Sequence, residues 1–335
     1  MQREETDAMK FDVVSVGEAL IDFVSAGRDV SLPDVSEFRR AAGGSPANVA
    51  VGLARLNAKV AFIGKVGKDA FGAHIVNTFQ KNNVDMTGLV QDGNVDTTLV
   101  FVSLNSKSIP EFFFFRHGTA DTALRSDELP QQQLGDTLIL HFSSVALSVE
   151  PSRTASLTAA GIARKAGAFI SFDPNIRLSL WQDEESCRKE IMDAIAQVDV
   201  LKMNEGEWTF LTGKPVESLT QETAAVFFDK GVRVLAVTCG EKGAVLLSRD
   251  GLVKCPALPV DVVDTTGAGD AFMSGMLSVI CQSLRAGDNL ARFDLVRLET
   301  MGRWGNVTAA LSCTKTGGIP SLPESKQVIN LLSML

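Results

Sequence analysis

Six short apolar runs recur along this chain: "FDVVSV" (11–16), "VAFIGKVG" (60–67), "TLILHFSSV" (137–145), "AFISFDPN" (168–175), "VDVLKMN" (198–204) and "VLAVTCG" (234–240). Helical patterns lie between them, near 46–57, 69–82, 152–166, 184–196 and 221–229. Strands that alternate with helices and end in polar or glycine-rich turns read as a parallel sheet covered by helices. In such sheets ligands gather at the carboxyl ends of the strands, so the residues just after each run are where chemistry belongs. One segment breaks the alternation. "TTLVFVSL" and "EFFFFR", joined by "NSKSIP", read as a β-hairpin over 97–116 that projects from the main body as a flap or an interface.

The 335 residues and 45% hydrophobic content suit a compact globular chain with one large core or two modest ones, and no linker or repeat is visible. The net charge of −8 gives no basic field for nucleic acid or anionic lipid; any anion must be held by local groups. Neither a signal pattern nor an eighteen-residue apolar stretch occurs, which makes the cytoplasm the expected compartment and gives no membrane association. The five cysteines are widely spaced and read as reduced thiols, and the three histidines form no metal-binding spacing.

The stretch "VDTTGAGDAF" (263–272) puts an acid directly after three small residues, at the start of a helix. Glycines let the backbone approach a ligand, and helix N-terminal amides carry partial positive charge. Gly267, Ala268 and Gly269 can therefore cradle a developing negative charge, with Asp270 beside them as a general base. Helix capping by Asp270 is the plainer alternative. Walker A and dinucleotide-fingerprint spacings are both absent, and "GGSPA" (43–47) lacks the second glycine of a nucleophile elbow. Ser45 reads as an N-cap, with Pro46 at the first helical position.

"AAGGSPANVAVGLARLNAKVAFIGKVGKDAFG" (41–72) resembles the first signature of the PfkB, or ribokinase-like, carbohydrate kinase family, and "VDTTGAGDAFMSGML" resembles its second. The similarity runs from "VVSVGEALIDF" through "NVTAALSCTKTGGIPSLP". It implies a single domain over 1–335, a three-layer α/β sandwich with a mostly parallel central sheet and a small β-sheet lid formed by about 20–40 and 95–118. It also implies ATP and Mg2+ as cofactors, Asp270 as catalytic base, and the 267–269 amides as the anion hole. Sugar contacts then fall on Asp22, Gly43, Gly44 and Asn48, with Phe101 and Phe114 from the lid. Asp22 can accept from two neighbouring hydroxyls, and Asn48 offers both a donor and an acceptor. "NEGE" matches the family's NxxE motif, so Asn204 and Glu207 would organise magnesium through water. "TCGEKG" resembles its nucleotide loop, giving Thr238, Gly240 and Gly243 to the nucleotide, with Asn175 and Asn306 as further ATP contacts. Carbonyls at Asp264 and Thr266 match a monovalent-cation site that would take K+. Lids of the family pair through their outer faces, so a homodimer is expected.

"FFFFRHGTAD" and "FDPNIRLSLW" resemble the fructokinase branch and bring Arg116 and Arg177 to the site. D-fructose is the expected substrate. The alternative is a 2-keto-3-deoxygluconate kinase or another sugar or nucleoside kinase of the family, because two arginines exceed what a neutral sugar needs. Against the keto acid, the residues ahead of Arg116 are all Phe and the chain has no Tyr to offer a hydroxyl. A non-catalytic sugar-binding regulator on the same fold is the alternative of another class.

Overall fold

The computed structural model describes residues 11–104 and 110–335. Its thirteen strands are β1 (Phe11–Val16), β2 (Leu20–Arg28), β3 (Phe38–Gly43), β4 (Val60–Gly67), β5 (Asp85–Asp92), β6 (Leu99–Leu104), β7 (Pro110–Phe115), β8 (Thr137–Ser143), β9 (Phe169–Asp173), β10 (Val200–Asn204), β11 (Val234–Thr238), β12 (Ala244–Ser248) and β13 (Gly251–Cys255). All six apolar runs are strands of one nine-stranded sheet, ordered β13-β12-β11-β10-β9-β8-β1-β4-β5. The seven strands from β5 to β11 in this order are parallel, and β12 and β13 close one edge as an antiparallel pair.

Burial on both faces is why these runs are apolar at nearly every position. Val13, Val60, Phe62 and Ile139 face a core built with the helices Ser45–Arg55, Ala70–Lys81, Ala268–Arg285 and Leu295–Cys313. Val14, Ala61, Ile63, Leu140 and Phe142 face the other core, under Ser152–Lys165, Glu184–Ile195 and Gln221–Phe228. The result is three layers. Among the described residues no helix is long and apolar enough to cross a membrane.

Strand order reverses beside β1: the chain runs to β4 on one side, whereas β8 to β11 march outward on the other. That reversal opens a crevice at the carboxyl ends of β1 and β8, the place where open parallel sheets bind ligands. A second sheet, β3-β2-β6-β7, stands apart from the first. It contains the expected pair of strands, with Leu99 opposite Phe115 and Phe101 opposite Phe113; residues 105–109, where the connection is expected, lie outside the described residues. Its strands come from the two segments expected to form a lid, 20–40 and 95–118.

Side chains alternate sharply across this second sheet. Leu20, Val24, Val100, Val102, Phe112 and Phe114 pack together on one face. On the other, Phe101 stacks on Phe23 at 5.1 Å and meets Phe38 and Phe115 edge-on, while Phe113 and Phe115 are each 54% exposed.

The helices Ala268–Arg285 and Leu295–Cys313 are both largely buried and pack with glycines at the contact. A Cβ on Gly275 would stand 2.5 Å from the Trp304 carbonyl oxygen, and one on Gly305 would stand 2.6 Å from the Phe272 ring. Backbone cannot give way as a side chain can, so Gly275→Val is expected to cost about 1–3 kcal/mol. A denaturant midpoint equal to the parent's would show that the two helices do not meet there.

Candidate active site

Asp270 sits in the first turn of Ala268–Arg285, 8% exposed, where the helix is capped by Gly267 at φ 78°. It does not cap that helix. Ser45 Oγ donates to its Oδ1 and Asn48 Nδ2 to its Oδ2, both at 2.7 Å, so a helix more than 200 residues earlier holds the carboxylate from two sides. This revises the expectation for Ser45. The helix is capped by Gly44 at φ 101°, Ser45 is already helical, and its hydroxyl serves Asp270. The Ser45 N–H is taken instead by Glu18 Oε1 at 3.1 Å, and Glu18 also accepts from Ser143 Oγ at the end of β8.

These groups line a cavity of about 860 Å³ between the two sheets. Of the expected site residues it gathers Asp22, Gly44, Asn48, Phe114, Asn175, Arg177, Asn204, Thr238, Gly240, Thr266, Gly267, Gly269 and Asp270. Gly43 packs behind Asp22: a Cβ there would stand 2.0 Å from Asp22 Oδ2. Asn175 takes a left-handed φ of 44°, which asparagine tolerates better than most residues. Arg177 lies over the Phe112 ring at 4.6 Å, bridging the cavity toward the second sheet.

Eight expected residues, Gly43 among them, lie outside the cavity lining. Phe101 belongs to the outer aromatic face, because it is one residue out of phase with Val100 and Val102. Arg116 is buried and fully engaged: its Nε pairs with Asp121 at 2.6 Å, and its two terminal nitrogens donate to Ser148 Oγ and the Val145 carbonyl. Ala268 is outside the cavity lining and gives its N–H to the Thr265 carbonyl at 3.1 Å, leaving Gly267 and Gly269 as the glycines that face the space. Gly243, at φ 94°, packs against the Cys255 carbonyl, and Asn306 spends its amide on the Cys255 and Pro256 carbonyls at 2.9 Å each. Both therefore shape the β13 end and the loop after it.

Asp264 is buried and bridges two turns, accepting from Thr266 N–H at 2.9 Å and Gly317 N–H at 2.8 Å. Thr266 Oγ1 is buried with no partner among the described residues. Glu207 is buried too; its oxygens accept from Ile176 N–H and Asn204 N–H, and Asn204 Oδ1 accepts from Glu207 N–H.

Of the charged residues lining the cavity, three escaped the sequence reading: Glu18, Glu205 and Lys202. Lys202 is 4% exposed on β10 and pairs with Asp173 at 2.7 Å. A signal existed, because "VDVLKMN" carries one cation inside an apolar strand, and a buried lysine needs a partner.

The acids lie in an environment that resists charge. Burial, with Asp173 nearby, pushes Asp270 up to about 6, against the hydrogen bonds from Asn48 and Ser45. Burial pushes Asp22 up to about 7 despite the pull of Arg177, and Asp270 adds to the rise. Glu18 also rises to about 7, chiefly through burial. Lys202 stays charged, since the neighbouring carboxylates of Asp173 and Glu207 outweigh its burial.

The description "pfkB family carbohydrate kinase" matches residues 10–325, and the chain belongs to that family. It is 39% identical over 320 residues to fructokinase-1 of Zea mays, covering 96% of this chain and 97% of that one. Among solved structures, the fructokinase of Xylella fastidiosa with bound ATP superposes with a TM-score of 0.87 at 28% identity, covering 97% and 99% of the two chains. A fructokinase double mutant of Vibrio cholerae bound to fructose, ADP and potassium ion gives 0.84 at 31%, covering 98% and 100%.

A carboxyl whose pKa is raised on folding binds its proton more tightly in the folded state. Its stabilising contribution is therefore full below the unfolded pKa near 4 and is lost as pH rises through the folded value. For Asp22 that loss runs from about pH 4 to about pH 7 and is complete above it. Asp22→Asn is accordingly expected to raise the Tm at pH 8 by roughly 2–5 °C and to change it little below about pH 4. Equal Tm values at pH 8 would show that the Asp22 carboxylate is well solvated.

Proposed function

We propose that this protein transfers the γ-phosphoryl group of ATP to the primary hydroxyl of D-fructose, giving fructose 6-phosphate. The observation that carries the reading is the Asp270 carboxylate, buried at a helix N-terminus and aimed into the cavity by Ser45 and Asn48. Its relatives' names supply the sugar. Asp270 takes the hydroxyl proton as the sugar oxygen attacks phosphorus, while the backbone at Gly267 and Gly269 faces the charge that builds on the transferring group. The sugar lies between Asp22, Gly44, Asn48 and the inner face of the second sheet, which acts as a lid and excludes water. Thr238, Gly240 and Asn175 meet the nucleotide.

Charge favours a neutral sugar over the keto acid. Glu18, Asp22 and Asp270 all line the cavity, and with Arg116 committed to Asp121, Arg177 is the arginine left to meet a carboxylate. Three acids around the acceptor would repel an anionic substrate.

Asn204 and Glu207 fit magnesium through water, since the Glu207 oxygens already serve two backbone amides. Bound with the nucleotide, magnesium supplies neutralisation of the phosphate charge. Thr266 Oγ1 and the turn braced by Asp264 fit a monovalent cation such as K+. All five cysteines are free thiols, which suits the reducing cytoplasm where ATP is available.

The test is ATP consumption with magnesium on D-fructose, 2-keto-3-deoxygluconate, ribose and adenosine against a blank without sugar; a preference for any but fructose overturns the substrate. Asp270→Asn should bind ATP normally and lose about 10²–10⁴-fold in kcat. In the parent, kcat/KM should fall as pH drops through about 6, where Asp270 takes up its proton. Retained turnover in the variant would remove Asp270 as the base.

The outer aromatic face, with Phe113 and Phe115 exposed beside Phe23, Phe38 and Phe101, is large enough in kind to pair two copies of the lid. A dimer mass by light scattering is expected, reduced to the monomer by Phe113→Asp. A monomeric parent protein would dismiss the pairing.

A further inference from the structure

We infer that Lys202 is a catalytic residue, whose ammonium holds the transferring phosphoryl group together with the turn at Gly267 and Gly269. The inference rests on the reading of Asp270 and this turn as the transfer centre. Lys202 lines the same cavity, on the strand that ends at Asn204. Its Nζ stands 2.7 Å from where a Cβ of Gly269 would be, so ammonium and helix start meet at one point. The absent side chain at 269 is what leaves that place open to both.

Two features separate this lysine from one that only neutralises a buried acid. An ammonium has three N–H donors, and among the described residues Lys202 spends one, on Asp173 Oδ2 at 2.7 Å. Asp173 Oδ1 is buried without a partner among the described residues, so the pair is not closed on itself as a purely structural bridge would be. Charge balance points the same way. Asp270, Asp173 and Glu207 all lie close to Lys202, and a phosphate arriving against Gly269 needs a cation. Arg177 is the other cavity cation, and it lies over Phe112 on the lid side.

In the transfer step, the sugar oxygen bonds to the γ-phosphorus as the bond from phosphorus to the bridging oxygen of ADP breaks. The hydroxyl proton passes to Asp270 and the electron pair leaves with ADP. Lys202 keeps its proton throughout; it donates hydrogen bonds and charge to an oxygen of the group in flight.

The test uses the full chain with Lys202→Met and with Lys202→Met/Asp173→Asn, the second removing the carboxylate that the first strands. Both should show kcat lowered by about 10²–10³-fold on fructose. Titrated calorimetrically without sugar, both should lose about tenfold more affinity for ATP than for ADP, as expected for a contact to the γ-phosphate. A double variant that recovers turnover to within a few fold of the parent would overturn the inference, because neutralising Asp173 would then be all that Lys202 does. Equal losses for ATP and ADP would overturn it as well. Should the parent protein ignore fructose, the substrate reading falls alone, and the ATP-to-ADP comparison still decides the role of Lys202.

Discussion

The bonds from Ser45 and Asn48 to Asp270 are the point on which the two ends of the chain agree. Each donor must arrive from the helix Ser45–Arg55 in register with the first turn of Ala268–Arg285, and small residues at the crossing allow it. A Cβ on Gly52 would stand 2.3 Å from Ser274 Oγ, so the helices touch there without intervening bulk. Glu18 fixes the other side by holding the Ser45 amide, and Ser143 ties Glu18 to the end of β8. The position of one carboxylate is thereby set by β1, β8 and two helices at once. A site held this way keeps its geometry without help from a ligand.

Electrostatics explains how a chain of net charge −8 can receive a triphosphate. Long-range attraction is absent, so selection falls to a few fixed groups in a poorly hydrated space, where each is felt more strongly than at the surface. Glu18, Asp22 and Asp270 line that space, and Lys202 stands at the helix start. The same burial that sharpens these interactions makes the acids reluctant to ionise. Function and stability pull in opposite directions at the same residues.

Much of this was legible in the sequence because period and punctuation carry it. The apolar runs are strands of the main sheet, and β6 and β7 pair where the composition changes. Strand ends do bring Asn175, Asn204 and Thr238 to one cavity. What escaped was decided by contacts distant in sequence. Ser45 reads as a cap until Asp270 competes for its hydroxyl, and Arg116 reads as a ligand until Asp121, five residues on, folds back onto it. Phe101 and Phe114 look alike in a row of aromatics, and only strand phase sends one outward and one inward. Asn306 reads as an ATP contact, but its amide is claimed by two carbonyls some fifty residues earlier.

The row Phe112 to Phe115 has a consequence of its own. Strand register is ordinarily enforced by apolar residues on one side and polar residues on the other, and four identical rings offer no such preference. Slipping β7 by one place would exchange the rings that face the cavity for those that face outward, at little cost in hydrophobic burial. The lock must come from outside the row, and Arg116 is placed to supply it: it follows β7 directly and is pinned by Asp121, Ser148 and Val145. This guanidinium, although away from the chemistry, decides which side of the lid is which.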